Sequence, residues 1–165
     1  MTQRFNTATT SDTTVEWLTP KYIMDMLGEF DVDPCASASR TFDCAKVNYT
    51  KEDDGLSQEW KGRVWLNPPY GKQASEWMKR LSEHDGSGLA LIFARTDSRW
   101  FQEYVLGRAK AIFFWKGRIS FLKEGKEVNQ TANAASCLVT YSMSEIPLLA
   151  QLEEKGYGKL ALLKL

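Results

Sequence analysis

The run GLALIFAR (88–95) constrains this chain more than any other stretch. It holds no polar residue before Arg95, so a strand formed there is apolar on both faces and must be covered on both. That requirement predicts a buried, parallel strand inside a layered sheet. Other segments read as strands around it: FDVDP (30–34), GRVWLNPP (62–69), AKAIFFWKG (109–117) and ASCLVTYS (135–142). Helical spacing falls between them. TPKYIMDMLGEF (19–30) sets Thr19 as N-cap, Pro20 at the first helical position and Gly28 at the end, with Tyr22, Ile23, Met26 and Leu27 as an apolar stripe. ASEWMKRLSEH (74–84) turns Trp77, Met78 and Leu81 inward, and SRWFQEYVLGR (98–108) is capped by Ser98 and stopped by Gly107. IPLLAQLEEKGY (146–157) is a further helix, and KLALLKL (159–165) is a final strand or helix. ISFLKEGKEVNQ (119–130) predicts a strand and a hairpin-like turn, residues 35–60 are polar and turn-rich, and residues 1–14 read as a mobile tail. Strands alternating with helices predict an α/β fold, a right-handed sheet with helices on both faces, built as one compact domain over 15–165.

Such sheets bind ligands beyond the carboxyl ends of their strands. Two strand ends are unusual here, FDVDPCASAS and VWLNPPYG, and both are expected to open onto one crevice. In the second, two prolines remove two donors and fix two φ angles, which stops the strand and leaves a rigid extended corner. Asn67 offers an amide oxygen, the Pro68 carbonyl is a second acceptor, Pro69 stiffens the turn, and Tyr70 offers a flat ring. Two acceptors beside a ring suit a planar amine such as the exocyclic amino group of a nucleobase. Holding both amino hydrogens on acceptors turns the nitrogen lone pair toward an electrophile, so position and electrostatics do the catalysis. A base must leave its stack to reach such a corner, and stacking on a ring returns about 1–3 kcal/mol.

Charge narrows the partner. The net charge is zero, yet residues 12–59 hold eleven acids against four bases, and residues 95–126 hold eight bases against three acids. A neutral chain with a basic segment can meet a polyanion locally. In that segment Arg95, Arg99, Lys116 and Arg118 are interleaved with Trp100, Phe101, Trp115 and Phe121, the mixture of phosphate contact and stacking that nucleic acid requires. Phe113 and Phe114 are read as core. KEGKEVNQTANAAS (123–136) supplies Asn129, Gln130 and Asn133, side chains able to bond base edges, and reads as a small target-reading loop. A single histidine, His84, in a polar loop argues against a histidine-rich metal site and against a Ser-His-Asp triad, so no metal is expected. Cys35, Cys44 and Cys137 lack metal or disulfide spacing and read as reduced thiols of a cytoplasmic protein. No apolar run nears the roughly 20 residues of a membrane span, and no signal peptide opens the chain.

With these residues in view the sequence resembles the S-adenosylmethionine-dependent amino-methyltransferases whose motif is Asn-Pro-Pro-Tyr. The order WLTP (17–20), FDVDPCAS (30–37), DDGL (53–56), Trp60 and VWLNPPYG (64–71) is similar to compact phage-type DNA adenine-N6 methyltransferases of the Dam kind, and the likeness covers about 15–142. The resemblance implies a Rossmann-like methyltransferase sheet, double-stranded DNA as partner and S-adenosylmethionine as cofactor. It also implies methyl transfer to a flipped adenine, in the cytoplasm of a bacterial host if the gene is of phage or prophage origin. Asn67, Pro68, Pro69 and Tyr70 would form the catalytic corner. The loop Asp31, Asp33, Pro34, Cys35, Ala36 and Ser37 corresponds to the family's cofactor loop, with Ser37 and Ser39 standing where it has glycines. Asp53 or Asp54 would serve the cofactor's adenine, and Thr19 with Pro20 begins the helix over its methionine end. The same motif serves enzymes that act on RNA adenine, a cytosine amino group or a protein glutamine. A non-catalytic nucleic-acid-binding relative is the alternative from another class.

Overall fold

The computed structural model describes residues 17–123, 126–127, 132 and 134–163. The expected tail, and Asn129, Gln130 and Asn133 of the expected reading loop, lie outside them. Ten strands occur among the described residues: β1 (Trp17–Leu18), β2 (Val32–Asp33), β3 (Val47–Asn48), β4 (Arg63–Leu66), β5 (Ser87–Phe93), β6 (Ala111–Trp115), β7 (Leu122–Lys123), β8 (Lys126–Glu127), β9 (Ser136–Thr140) and β10 (Gly158–Leu162). Three α-helices accompany them: α1 (Lys21–Leu27), α2 (Ala74–Ser82) and α3 (Ile146–Glu154). Seven strands form one sheet in the order β10-β6-β9-β5-β4-β2-β3, and β1, β7 and β8 form a small second one.

The sheet is mixed. β3, β2, β4 and β5 run parallel, but β9 enters antiparallel between β5 and β6, and β10 is antiparallel to β6. Thus β5 is parallel to β4 on one side only. An apolar run reports burial on both faces, not the direction of the neighbour. The closing segment is a strand because it lines the free edge of β6, pairing Leu160 with Phe113.

Strand alternation divides the core. Trp65, Leu89, Leu91, Phe113 and Leu138 face one side, where Ile23 and Leu27 of α1 and Leu149 and Leu152 of α3 cover them. Val64, Leu66, Ala90, Ile92, Ile112 and Val139 face the other, under Met78 and Leu81 of α2 and Phe101 and Val105. Helical chain therefore lies on both faces of an α/β sheet, as the alternation predicts.

Local detail departs from expectation in several places. Pro20, not Thr19, is the N-cap of α1; its backbone is extended (φ −61°, ψ 141°), its ring has no atom that could cap, and the Thr19 hydroxyl accepts from Asn67 instead. The buried stripe of α1 is Ile23, Met24 and Leu27, and Tyr22 is half exposed. Residues 101–106 wind as a π-helix between Trp100 and Gly107. Phe113 is core but Phe114 is exposed, as alternation along β6 requires.

A lock missed in the sequence ties the amino edge together. Arg63 grips the buried Glu145 carboxylate with two bonds of 2.8 and 2.7 Å. It donates to the carbonyls of Leu27 and Glu29 and lies 4.1 Å over the Phe30 ring. An arginine in a strand and a glutamate 82 residues later give no local signal of pairing.

Candidate active site

β2, β4, β5 and β6 all point their carboxyl ends to one edge, and β9 begins there. The corner Asn67-Pro68-Pro69-Tyr70 follows β4 at this edge. Asn67 is partly exposed, and its Nδ2 donates to the Trp17 carbonyl at 2.9 Å and to Thr19 Oγ1 at 3.3 Å. A carbonyl can only accept, so the amide must present NH₂ to Trp17, and its Oδ1 is left as the acceptor. Among the described residues no donor occupies Oδ1 or the Pro68 carbonyl. WLTP is thus tied to the corner: its backbone and hydroxyl set the orientation of the Asn67 amide.

Tyr70 lies face to face on Phe93, centroids 4.1 Å apart and planes within 8°. Phe93 meets Phe121 edge-on at 6.3 Å, and Phe121 meets Trp17 at 6.4 Å. A chain of rings therefore runs from the small sheet to the corner. Burial pushes the Tyr70 phenol above its ordinary pKa, and its hydroxyl has no partner among the described residues. Phe93 carries no signal in the sequence beyond its apolar strand, and Phe121 and Phe101, expected among the stacking rings of the basic segment, are buried in the core instead.

Beside the corner, β2 ends in Asp33. This carboxylate is buried, and burial pushes its pKa up to about 7, against the Cys35 N–H (3.0 Å to Oδ1) and the charge of Arg40, which act to lower it. The loop beyond it is held by Ala36 N–H on the Tyr49 carbonyl and Tyr49 N–H on the Asp33 carbonyl, both 2.8 Å. Where glycines were absent, the Ser37 hydroxyl accepts the Ser39 N–H at 3.0 Å and makes the turn itself. DDGL closes on this loop. A Cβ built on Gly55 would stand 1.7 Å from the Pro34 carbonyl oxygen, so only glycine fits, and the Trp60 indole N–H holds the Gly55 carbonyl at 2.8 Å. Asp53 accepts the Thr50 N–H and hydroxyl at 2.8 and 2.9 Å, which commits it to a capping box. Asp54, left-handed at φ 52°, is exposed and is the acid left over.

The structure does not bring Asp31 to this edge. It precedes β2 at the amino side, where its carboxylate accepts the Arg63 N–H at 2.8 Å and pairs with Lys46 at 2.9 Å. Position along the chain separates the two acids of FDVDP: Asp31 precedes β2 at its amino end, while Asp33 closes β2 at its carboxyl end. A depression of about 460 Å³ between α1 and residues 42–46 also lies apart from the corner, lined by Lys21, Met24, Gly28, Phe30, Asp43 and Lys46. Its lysines are already paired, Lys21 with Asp25 and Lys46 with Asp31.

Arg95 and Arg99 follow β5, and Lys116 and Arg118 follow β6, so all four share the edge of the corner. All are exposed, and none is in an ion pair among the described residues. Trp100 is partly buried, edge-on to Phe101 at 5.7 Å. Among the described residues no cluster of three or more His, Cys, Asp or Glu could hold a metal ion, and no helix is long and apolar enough to cross a membrane.

Fold and corner together define an α/β chain whose sheet carries, at its carboxyl edge, an Asn-Pro-Pro-Tyr corner with two unoccupied acceptors among the described residues. Residues 6–149 match the family described as DNA N-6-adenine-methyltransferase (Dam), and the chain belongs to that family. A relative, the DNA N-6-adenine-methyltransferase of Escherichia phage T1, is 32% identical over 109 residues, covering 59% of this chain and 43% of that protein. The chain thus spans less than half the length of that relative.

Proposed function

We propose that this chain is a DNA adenine-N6 methyltransferase with a Rossmann-like methyltransferase sheet, and that S-adenosylmethionine is its methyl donor. One observation carries the reading: the Asn67 amide is fixed by Trp17 and Thr19 so that its oxygen is presented as an acceptor beside the Pro68 carbonyl. Family membership supports it. The extruded adenine places its amino hydrogens on Asn67 Oδ1 and the Pro68 oxygen, and its nitrogen lone pair then points to the electrophile. Pro69 keeps the corner stiff, and the Tyr70 face not covered by Phe93 receives the base. The donor, when bound, supplies an electrophilic methyl carbon on a sulfonium.

The residues fit a cationic donor. Asp33 is a buried carboxyl in no ion pair among the described residues, raised by burial despite the charge of Arg40, an environment a sulfonium or ammonium group compensates. Pro34, Cys35, Ala36 and Ser37 form the loop wall, Thr19 and Pro20 close it from α1, and Asp54 meets the adenine end. Asp31 has no part in the pocket. Arg95, Arg99, Lys116 and Arg118 take DNA phosphates at the same edge, with Trp100 beside them.

Asn67→Ala tests the assignment. It removes an oxygen that acts in the transition state, and loss of such a group costs about 10²–10³ in kcat. Labelled methyl transfer to unmethylated DNA, followed by nucleoside analysis, is expected to give N6-methyladenine with the wild type and nearly none with the variant. Calorimetric binding of the donor should persist. Wild-type turnover by Asn67→Ala would remove the corner from the mechanism.

A further inference from the structure

Ser136 opens β9 at the carboxyl edge and is 1% exposed, yet its hydroxyl has no hydrogen-bond partner among the described residues. The Tyr70 hydroxyl is the other buried side-chain polar atom without one among the described residues. An unsatisfied buried hydroxyl costs about 1–3 kcal/mol, and native folds keep few of them. These two are neighbours of one ring. Tyr70 stacks on Phe93, and Ser136 is the residue directly opposite Phe93 in the β5–β9 ladder, which sends both side chains to the same face. That face also carries Asn67, whose amide bonds Trp17 and Thr19 ahead of α1, and Phe93, which packs with the α1-side core. Asn67, Phe93 and Ser136 thus follow one another across β4, β5 and β9, on one face and at one edge.

Two buried hydroxyls without partners among the described residues thus flank one ring beside the Asn-Pro-Pro-Tyr corner. We propose that Ser136 is a base-contacting residue, its hydroxyl bonding the edge of the extruded base while Tyr70 covers the ring's face. This rests on the adenine reading above. Asn67 and Pro68 account for the exocyclic amine, and a purine also carries ring nitrogens that accept hydrogen bonds. A serine hydroxyl donates to such an atom and gains a partner that none of the described residues supplies. Phe93, held by the ladder and by Phe121, fixes the spacing between the two hydroxyls.

The test is Ser136→Ala in the full chain, with three readouts: thermal unfolding, calorimetric donor binding and steady-state methyl transfer to DNA. Because the hydroxyl has no partner among the described residues, the variant should be as stable as wild type or more so, with unchanged donor affinity. Its kcat/KM for DNA should fall about three- to tenfold, the worth of one hydrogen bond. A fall in melting temperature would show that the hydroxyl serves the fold, and wild-type kcat/KM would show that it does not meet the base; either overturns the assignment. If the wild type itself makes no N6-methyladenine, the functional reading fails, a separate result from an active wild type with an equally active Ser136→Ala.

Discussion

Gly55→Ala is the sharpest probe of the proposed cofactor loop, since it adds one methyl group and no charge. The new Cβ would lie 1.7 Å from the Pro34 oxygen and 2.7 Å from its carbonyl carbon, where real Cβ atoms stay beyond 3.0 Å. Both neighbours are backbone, so no side chain can swing aside. Moving from 1.7 to 3.0 Å requires a displacement of at least 1.3 Å between the Gly55 turn and the Pro34 loop. The Trp60 indole holds Gly55 in place, and Arg80 packs 4.5 Å over the Trp60 ring, so the Pro34 loop is the softer side. Overpacking of this kind costs about 1–3 kcal/mol, which leaves a folded protein. A shift of about 1 Å at reacting groups costs about 10²-fold in rate. Circular dichroism should therefore show native secondary structure, while donor affinity falls and methyl transfer drops by about two orders of magnitude. Wild-type donor affinity in folded Gly55→Ala would refute the claim that this contact shapes the pocket.

Two further predictions concern charge. The Asp33 carboxyl has an ordinary value of 3.8 and a folded value of about 7, so the folded state holds its proton over that interval while the unfolded state has released it. Stability from this group is full below pH 3.8 and is lost as the pH rises to about 7, on a scale of about 4 kcal/mol at most. Thermal unfolding between pH 4 and 8 should show that decline in the wild type, and Asp33→Asn should flatten it. Arg63→Met leaves Glu145 buried without its partner and should cost about 3–5 kcal/mol in urea unfolding, with the loss shrinking in Arg63→Met/Glu145→Leu.

Sequence alone determined the layered α/β plan and the corner, because both rest on local rules. An apolar strand needs covering on both faces, and two prolines after Asn67 end a strand whatever surrounds it. Asp33 at a strand end and Gly55 in a turn were legible for the same reason. What the tertiary structure decided depends on partners far apart in the chain. The Asn67 amide is oriented by Trp17 and Thr19, 50 and 48 residues earlier. Asp31 is drawn to Arg63 and Lys46, and Ser136 is set across from Phe93 by an antiparallel strand that apolar patterning could not place. Period and turn chemistry are properties of neighbours in sequence, whereas register between strands is chosen by the whole core at once.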